Sequence, residues 1–180
     1  MSYKKYLKDY RIDAQLDGKG RLKPEAVYIG GQYTLLPHLC ARDKRLILAA
    51  SILSCPALVG ALIPITKASQ VIYIIIPFAF SALPLFLLTW AAILLMREDE
   101  GMTRKKAETI SGRLPSNSLF MTILTSTAFI GLIFHSLLNS DEMLPGDILF
   151  GAMSLFNATS SLLIFTKTRK IKATPSTPKL

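Results

Sequence analysis

The chain has 180 residues, 51% of them hydrophobic, and a formal net charge of +9. That is too apolar for an ordinary water-soluble domain and too short for a large transporter. A basic surplus can bind nucleic acid through phosphate, but here Lys and Arg crowd beside apolar runs, as in loops facing anionic lipid headgroups, so a nucleic-acid partner is set aside.

Residues 1–45 read as a cytosolic head. In YRIDAQLD, Tyr10, Ile12, Ala14 and Leu16 alternate with Arg11, Asp13, Gln15 and Asp17, the period-2 pattern of a strand. The turn residues Asp17-Gly18-Lys19-Gly20 follow, and AVYIGGQYTLL then reads as a second strand with a bulge or bend at Gly30-Gly31. A β-hairpin is expected, and because a lone hairpin is marginal in water it needs the bundle, another copy or a partner to dock on. The first 45 residues carry no apolar signal-peptide core, so the first hydrophobic span is expected to act as its own insertion signal.

Four apolar segments follow, with spans about 46–66, 70–96, 119–138 and 148–166. The first is uncharged from Leu46 to Thr66, with Pro56 and Pro64 as kinks and a small-residue stripe at Ala50, Ser54, Ala57 and Ala61. The second lies in the longest uncharged run, from Ala68 to Met96; Pro77 and Pro84 should bend it, and Trp90 reads as an interfacial anchor. Residues 97–118 form a loop in which Thr103 caps a short interfacial helix ending near Gly112, with Pro115 as its stop. Arg104, Lys105, Lys106 and Arg113 of this loop are the expected lipid or partner contacts. The basic, Pro- and Ser/Thr-rich tail, residues 167–180, reads as disordered.

Orientation follows from the positions of the cations. The 21 Lys and Arg residues fall in the head, the 97–118 loop and the tail, apart from Lys67. The positive-inside rule then sets those three pieces, and both termini, in the cytoplasm. The compact loops fit a bacterial plasma membrane. The expected fold is an all-α integral membrane protein with four transmembrane helices in two antiparallel hairpins and a small cytosolic N-terminal β-hairpin.

None of the four spans contains Asp, Glu, Lys or Arg, which lowers the prospect of ion-coupled transport. The polar groups that remain cluster. Gly151, Ser154, Asn157, Ala158 and Ser161 share one face of the fourth span, and Thr122, Thr125 and Ser126 share one of the third. These faces are expected to meet as an interhelical polar seam through Ser126, Thr127, Ser154, Asn157 and Ser161, with Asn157 hydrogen-bonded across. His135, near the outer end of the third span, is an interfacial histidine or an external sensor of protons or metal.

Cys40 and Cys55 form no disulfide framework or metal pattern. No catalytic acid, base or nucleophile can be assembled, so no catalytic residue, metal or cofactor is assigned. The expected role is a non-enzymatic accessory or regulatory subunit that docks a membrane-protein partner, or another copy of itself, through its cytosolic elements. The alternative is a small-solute carrier or pore acting as an oligomer.

Overall fold

The computed structural model describes residues 9–16, 22–62, 71–97, 102–139 and 145–176. Strands β1 (Tyr10–Leu16) and β2 (Leu22–Tyr28) form an antiparallel pair in which Tyr10 faces Tyr28 and Leu16 faces Leu22. The alternation of the head thus becomes the expected hairpin; its Asp17–Gly20 turn lies outside the described residues. Strand β3 (Tyr33–Leu36) does not continue β2. It pairs with β4 (Lys172–Pro175) in a second sheet, Tyr33 opposite Pro175 and Leu36 opposite Lys172. Gly30-Gly31 is the expected bend: Ile29 and Gly30 both donate to Asp9 O, at 2.9 and 3.2 Å, and the chain there leaves one sheet for the other.

This second sheet corrects the reading of the tail as disordered throughout. Residues 172–175 are a strand, Ile171 is buried just before it, and Ser176 N–H donates to Gln32 O at 2.8 Å. The composition hid a partner strand that lies some 140 residues earlier. Tyr33 also exchanges two backbone bonds with Met102, at 2.9 and 3.1 Å. Leu35, Met102 and Ile171 are buried beneath this cap, in the same apolar cluster as Ala107, Ile110 and Leu114.

The helices are α1 (Ala41–Leu62), α2 (Ile72–Phe80), α3 (Ala82–Met96), α4 (Arg104–Asn139) and α5 (Pro145–Thr168). They pack in a closed cycle: α1 against α3 and α5, and α4 against α2, α3 and α5. Three are long and apolar enough to cross a membrane: α2 and α3 taken together, α4, and α5. α1 is the fourth member of the bundle; residues 63–70, into which the expected first span runs, lie outside the described residues.

The break between α2 and α3 falls at Ser81, between the two prolines. Pro84 has no N–H to bond Phe80 one turn earlier. Ser81 bridges the gap: its N–H reaches Pro77 O and Phe78 O at 3.2 and 3.1 Å, and its hydroxyl donates to Phe78 O at 2.6 Å.

The largest departure from expectation is α4. Its start agrees, since Thr103 O accepts the first helical bond from Ala107 N at 3.1 Å. It does not end at Gly112 or Pro115 but runs through both for 36 residues. At 1.5 Å per residue that is about 54 Å, against a hydrocarbon core of about 30 Å. Pro115 leaves one carbonyl without its helical donor, yet Ala107, Ile110 and Leu114 on one face of this extension are fully buried. Burying such side chains is worth about 1.5–3 kcal/mol for each large one, which offsets a proline cost of about 3 kcal/mol.

Side chains in the bundle are sorted inside out. Ser51, Thr125, Ser154, Asn157 and Ser161 are buried, whereas Phe86 is 70% exposed and Leu137 74%. An apolar girdle around a core of small and polar groups is what a helix bundle presents to lipid, where small residues allow close approach and polar ones hydrogen-bond between helices.

Candidate functional site

The polar seam lies where α4 meets α5. Thr122 Oγ1 donates to Ser161 Oγ at 3.0 Å, and Ser161 Oγ donates to Asn157 O at 2.6 Å. Gly151 makes the approach close: a Cβ added there would stand 3.0 Å from Leu132 Cδ2. The two faces predicted to meet do meet, but the cross-helix bond runs one turn away from Asn157.

Stepping four residues along each antiparallel helix from the Thr122–Ser161 bond puts Ser126 level with Asn157. α1 contributes at the same depth. The Asp43–Lys167 contact and the Gly60–Met153 approach set the α1–α5 register, and interpolation places Ser54 and Cys55 beside the level of Asn157. Ser54 is buried and donates to Ala50 O at 2.9 Å. Thr127 stands apart from the seam: it is exposed, with its hydroxyl bonded back to Ile123 O at 2.8 Å. Thr125, two residues earlier and on the other side of the helix, is buried.

Asn157 itself is fully buried, and among the described residues neither its Nδ2 nor its Oδ1 has a hydrogen-bond partner. Ser154 Oγ, one turn earlier, is likewise buried and unpaired. Polar atoms in that condition cost about 1–3 kcal/mol each unless something supplies the missing bond. The centre of the bundle thus offers one amide donor group, one amide acceptor and one hydroxyl at a common depth.

At one end of the bundle Tyr73 Oη and His135 Nδ1 lie 3.2 Å apart, with their rings edge to face. This joins α2 to α4, so His135, expected as an interfacial histidine or an external sensor, ties two helices together. Asp147, in the first turn of α5 at the same end, is buried, where a carboxylate is favoured by the helix dipole. Among the described residues no group of three His, Cys, Asp or Glu could hold a metal.

The opposite end gathers the cations. Arg104 Nε bonds Glu108 Oε1 at 3.0 Å along α4, and this bond raises the guanidinium pKa further above its ordinary value. Lys105 and Lys106 are exposed on the same turn, with Arg113 two turns further on and half-buried. Lys167 Nζ reaches Asp43 Oδ1 at 3.2 Å, tying the last turn of α5 to the first turn of α1. Cys40 Sγ donates to Asp43 Oδ2 at 3.2 Å. The thiol first and the ammonium second hold the Asp43 carboxyl below its ordinary value of 3.8. Sequence reasoning missed this cross-helix contact because its two ends lie 124 residues apart; the signal was an acid in the first turn of one helix and a base in the last turn of another.

No family model, curated protein or solved structure matches this chain.

Proposed function

We propose that the chain is a four-span integral membrane protein, both termini cytoplasmic, acting as a non-enzymatic accessory or regulatory subunit of a bacterial plasma membrane. In this reading the β1–β2 hairpin is its docking element, and the basic end of the bundle faces the anionic leaflet. One observation carries it. The β3–β4 sheet is built onto the bundle through Tyr33–Met102 and a buried apolar cluster, whereas β1–β2 is a separate two-stranded sheet. A separate pair of strands is marginally stable alone, and an open strand edge is a site for adding another strand.

The test is purification in mild detergent from the native host, comparing the full chain with a chain lacking residues 1–30. Residues 33–36 are kept, because β3 belongs to the cap. A partner recovered with the full chain and lost on the deletion supports the reading. A partner retained on the deletion refutes the hairpin as the dock.

The polar atoms of Asn157 and Ser154, unpaired among the described residues, favour a second reading, an oligomeric carrier or pore for a small neutral solute. Proteoliposomes that take up such a solute, and lose uptake with Asn157→Leu, would displace the first reading.

A further inference from the structure

The backbone of the hairpin distinguishes its two outer edges. Ile29 N–H donates to Asp9 O at 2.9 Å, so these two residues form a hydrogen-bonded pair in line with the β1–β2 register. Alternation along an antiparallel ladder then makes Arg11–Val27, Asp13–Glu25 and Gln15–Lys23 hydrogen-bonded pairs. Ile12–Ala26, Ala14–Pro24 and Leu16–Leu22 are the other kind, whose N–H and C=O groups point away from the partner strand. Pro24 therefore occupies an outward position. It leaves the inner ladder intact and removes a donor from the outer edge of β2, a common way of blunting an edge strand. β1 has no proline. Among the described residues no further strand pairs with either edge.

We propose that the outer edge of β1 pairs with β1 of a second copy of this chain, antiparallel and centred on Ile12. The proposal rests on the reading of the hairpin as a dock, and it names the occupant. In this register Ile12 faces its counterpart, and Arg11 of each copy stands opposite Asp13 of the other. These charge pairs fall at non-hydrogen-bonded positions of the new seam, where opposite side chains approach most closely. Within one hairpin the Asp13 position lies opposite the Glu25 position; the second copy brings an arginine position alongside. By alternation Ile12, Ala14 and Leu16 share a face with Leu22, Pro24 and Ala26, so two copies form a four-stranded sheet with one continuous apolar face. Three or more strands with such a face reach the stability that a lone hairpin lacks. Two chains held in one bilayer meet at high effective concentration, so a short seam suffices.

The test is oxidative cross-linking in native membranes, in a full chain carrying Cys40→Ser and Cys55→Ala. Ile12→Cys is expected to shift the chain from monomer to dimer on a non-reducing gel. Ala14→Cys alone should not, but mixed with a Tyr10→Cys chain it should. Ala26→Cys, on the outer edge of β2, should remain monomeric. Arg11→Asp and Asp13→Arg should each reduce the Ile12→Cys dimer, and the two together should restore it. Cross-linking at Ala14→Cys in place of Ile12→Cys would overturn this register. No cross-link at any β1 position would overturn the second copy as occupant. If a host partner is then still lost on deleting residues 1–30, the docking reading stands without it; if that partner is retained, both fall.

Discussion

Replacing Asn157 with leucine should stabilise the bundle. The side chains are similar in size, and the site is fully buried, so leucine fills it without adding a polar group. The substitution removes an amide whose two polar atoms are unpaired among the described residues; relief of one such buried group is worth about 1–3 kcal/mol. Leucine is also the better helix former, by a few tenths of a kcal/mol. Ser161 still donates to the backbone carbonyl at position 157, which the substitution keeps. For a chain of this size about 1 kcal/mol corresponds to a Tm shift of about 2–4 °C. The expected outcome is therefore a rise of several degrees for Asn157→Leu in detergent, measured by thermal unfolding at fixed detergent and protein concentration. A loss of 2 °C or more would refute the reasoning, because it would mean that the amide is bonded within the bundle.

Three further outcomes are expected. In a double-mutant cycle of Thr122→Val and Ser161→Ala, the coupling across α4 and α5 should be on the order of 0.6 kcal/mol, the average for hydrogen bonds between membrane helices; a coupling indistinguishable from zero would mean that the bond is not formed. Truncation after Lys170 removes Ile171 and β4, so Leu35 and Met102 should become accessible and proteolysis near residues 30–40 should accelerate; unchanged cleavage kinetics would contradict the β3–β4 pairing. The lowered pKa of Asp43 means that its contact with Lys167 is present above the ordinary value of 3.8 and lost as pH falls below it through the folded value. Lys167→Met should therefore raise the Asp43 midpoint in a carboxylate-resolved NMR titration, and an unchanged midpoint would show that Lys167 does not act on it.

Much of the architecture can be read in one pass along the chain. The period of Tyr10, Ile12, Ala14 and Leu16 specifies a strand, and the turn residues after it specify a hairpin. The apolar runs locate helices, and the small-residue faces around Thr122 and Ser161 locate the contact between α4 and α5. What escaped depends on distant partners. β4 reads as polar tail until β3 lies beside it. Gly112 and Pro115 are sound stop signals in isolation, and they are overridden because Ile110 and Leu114 are buried with Leu35 and Met102 in one apolar cluster. The sequence sets Asn157 in one seam with Ser126, but position along a helix does not determine which hydroxyl a side chain reaches, and the cross-helix bond joins Thr122 to Ser161.

The pairing of β3 with β4 also orders events in biogenesis. β3 emerges from the ribosome before any helix of the bundle, and its partner strand is made only after the last helix. Until α5 and the residues after it have been made, β3 can hold Met102 but lacks its partner strand. A chain stalled part-way therefore displays an open strand edge, and a completed one covers it. The finished cap is a structural receipt that the whole bundle is in place.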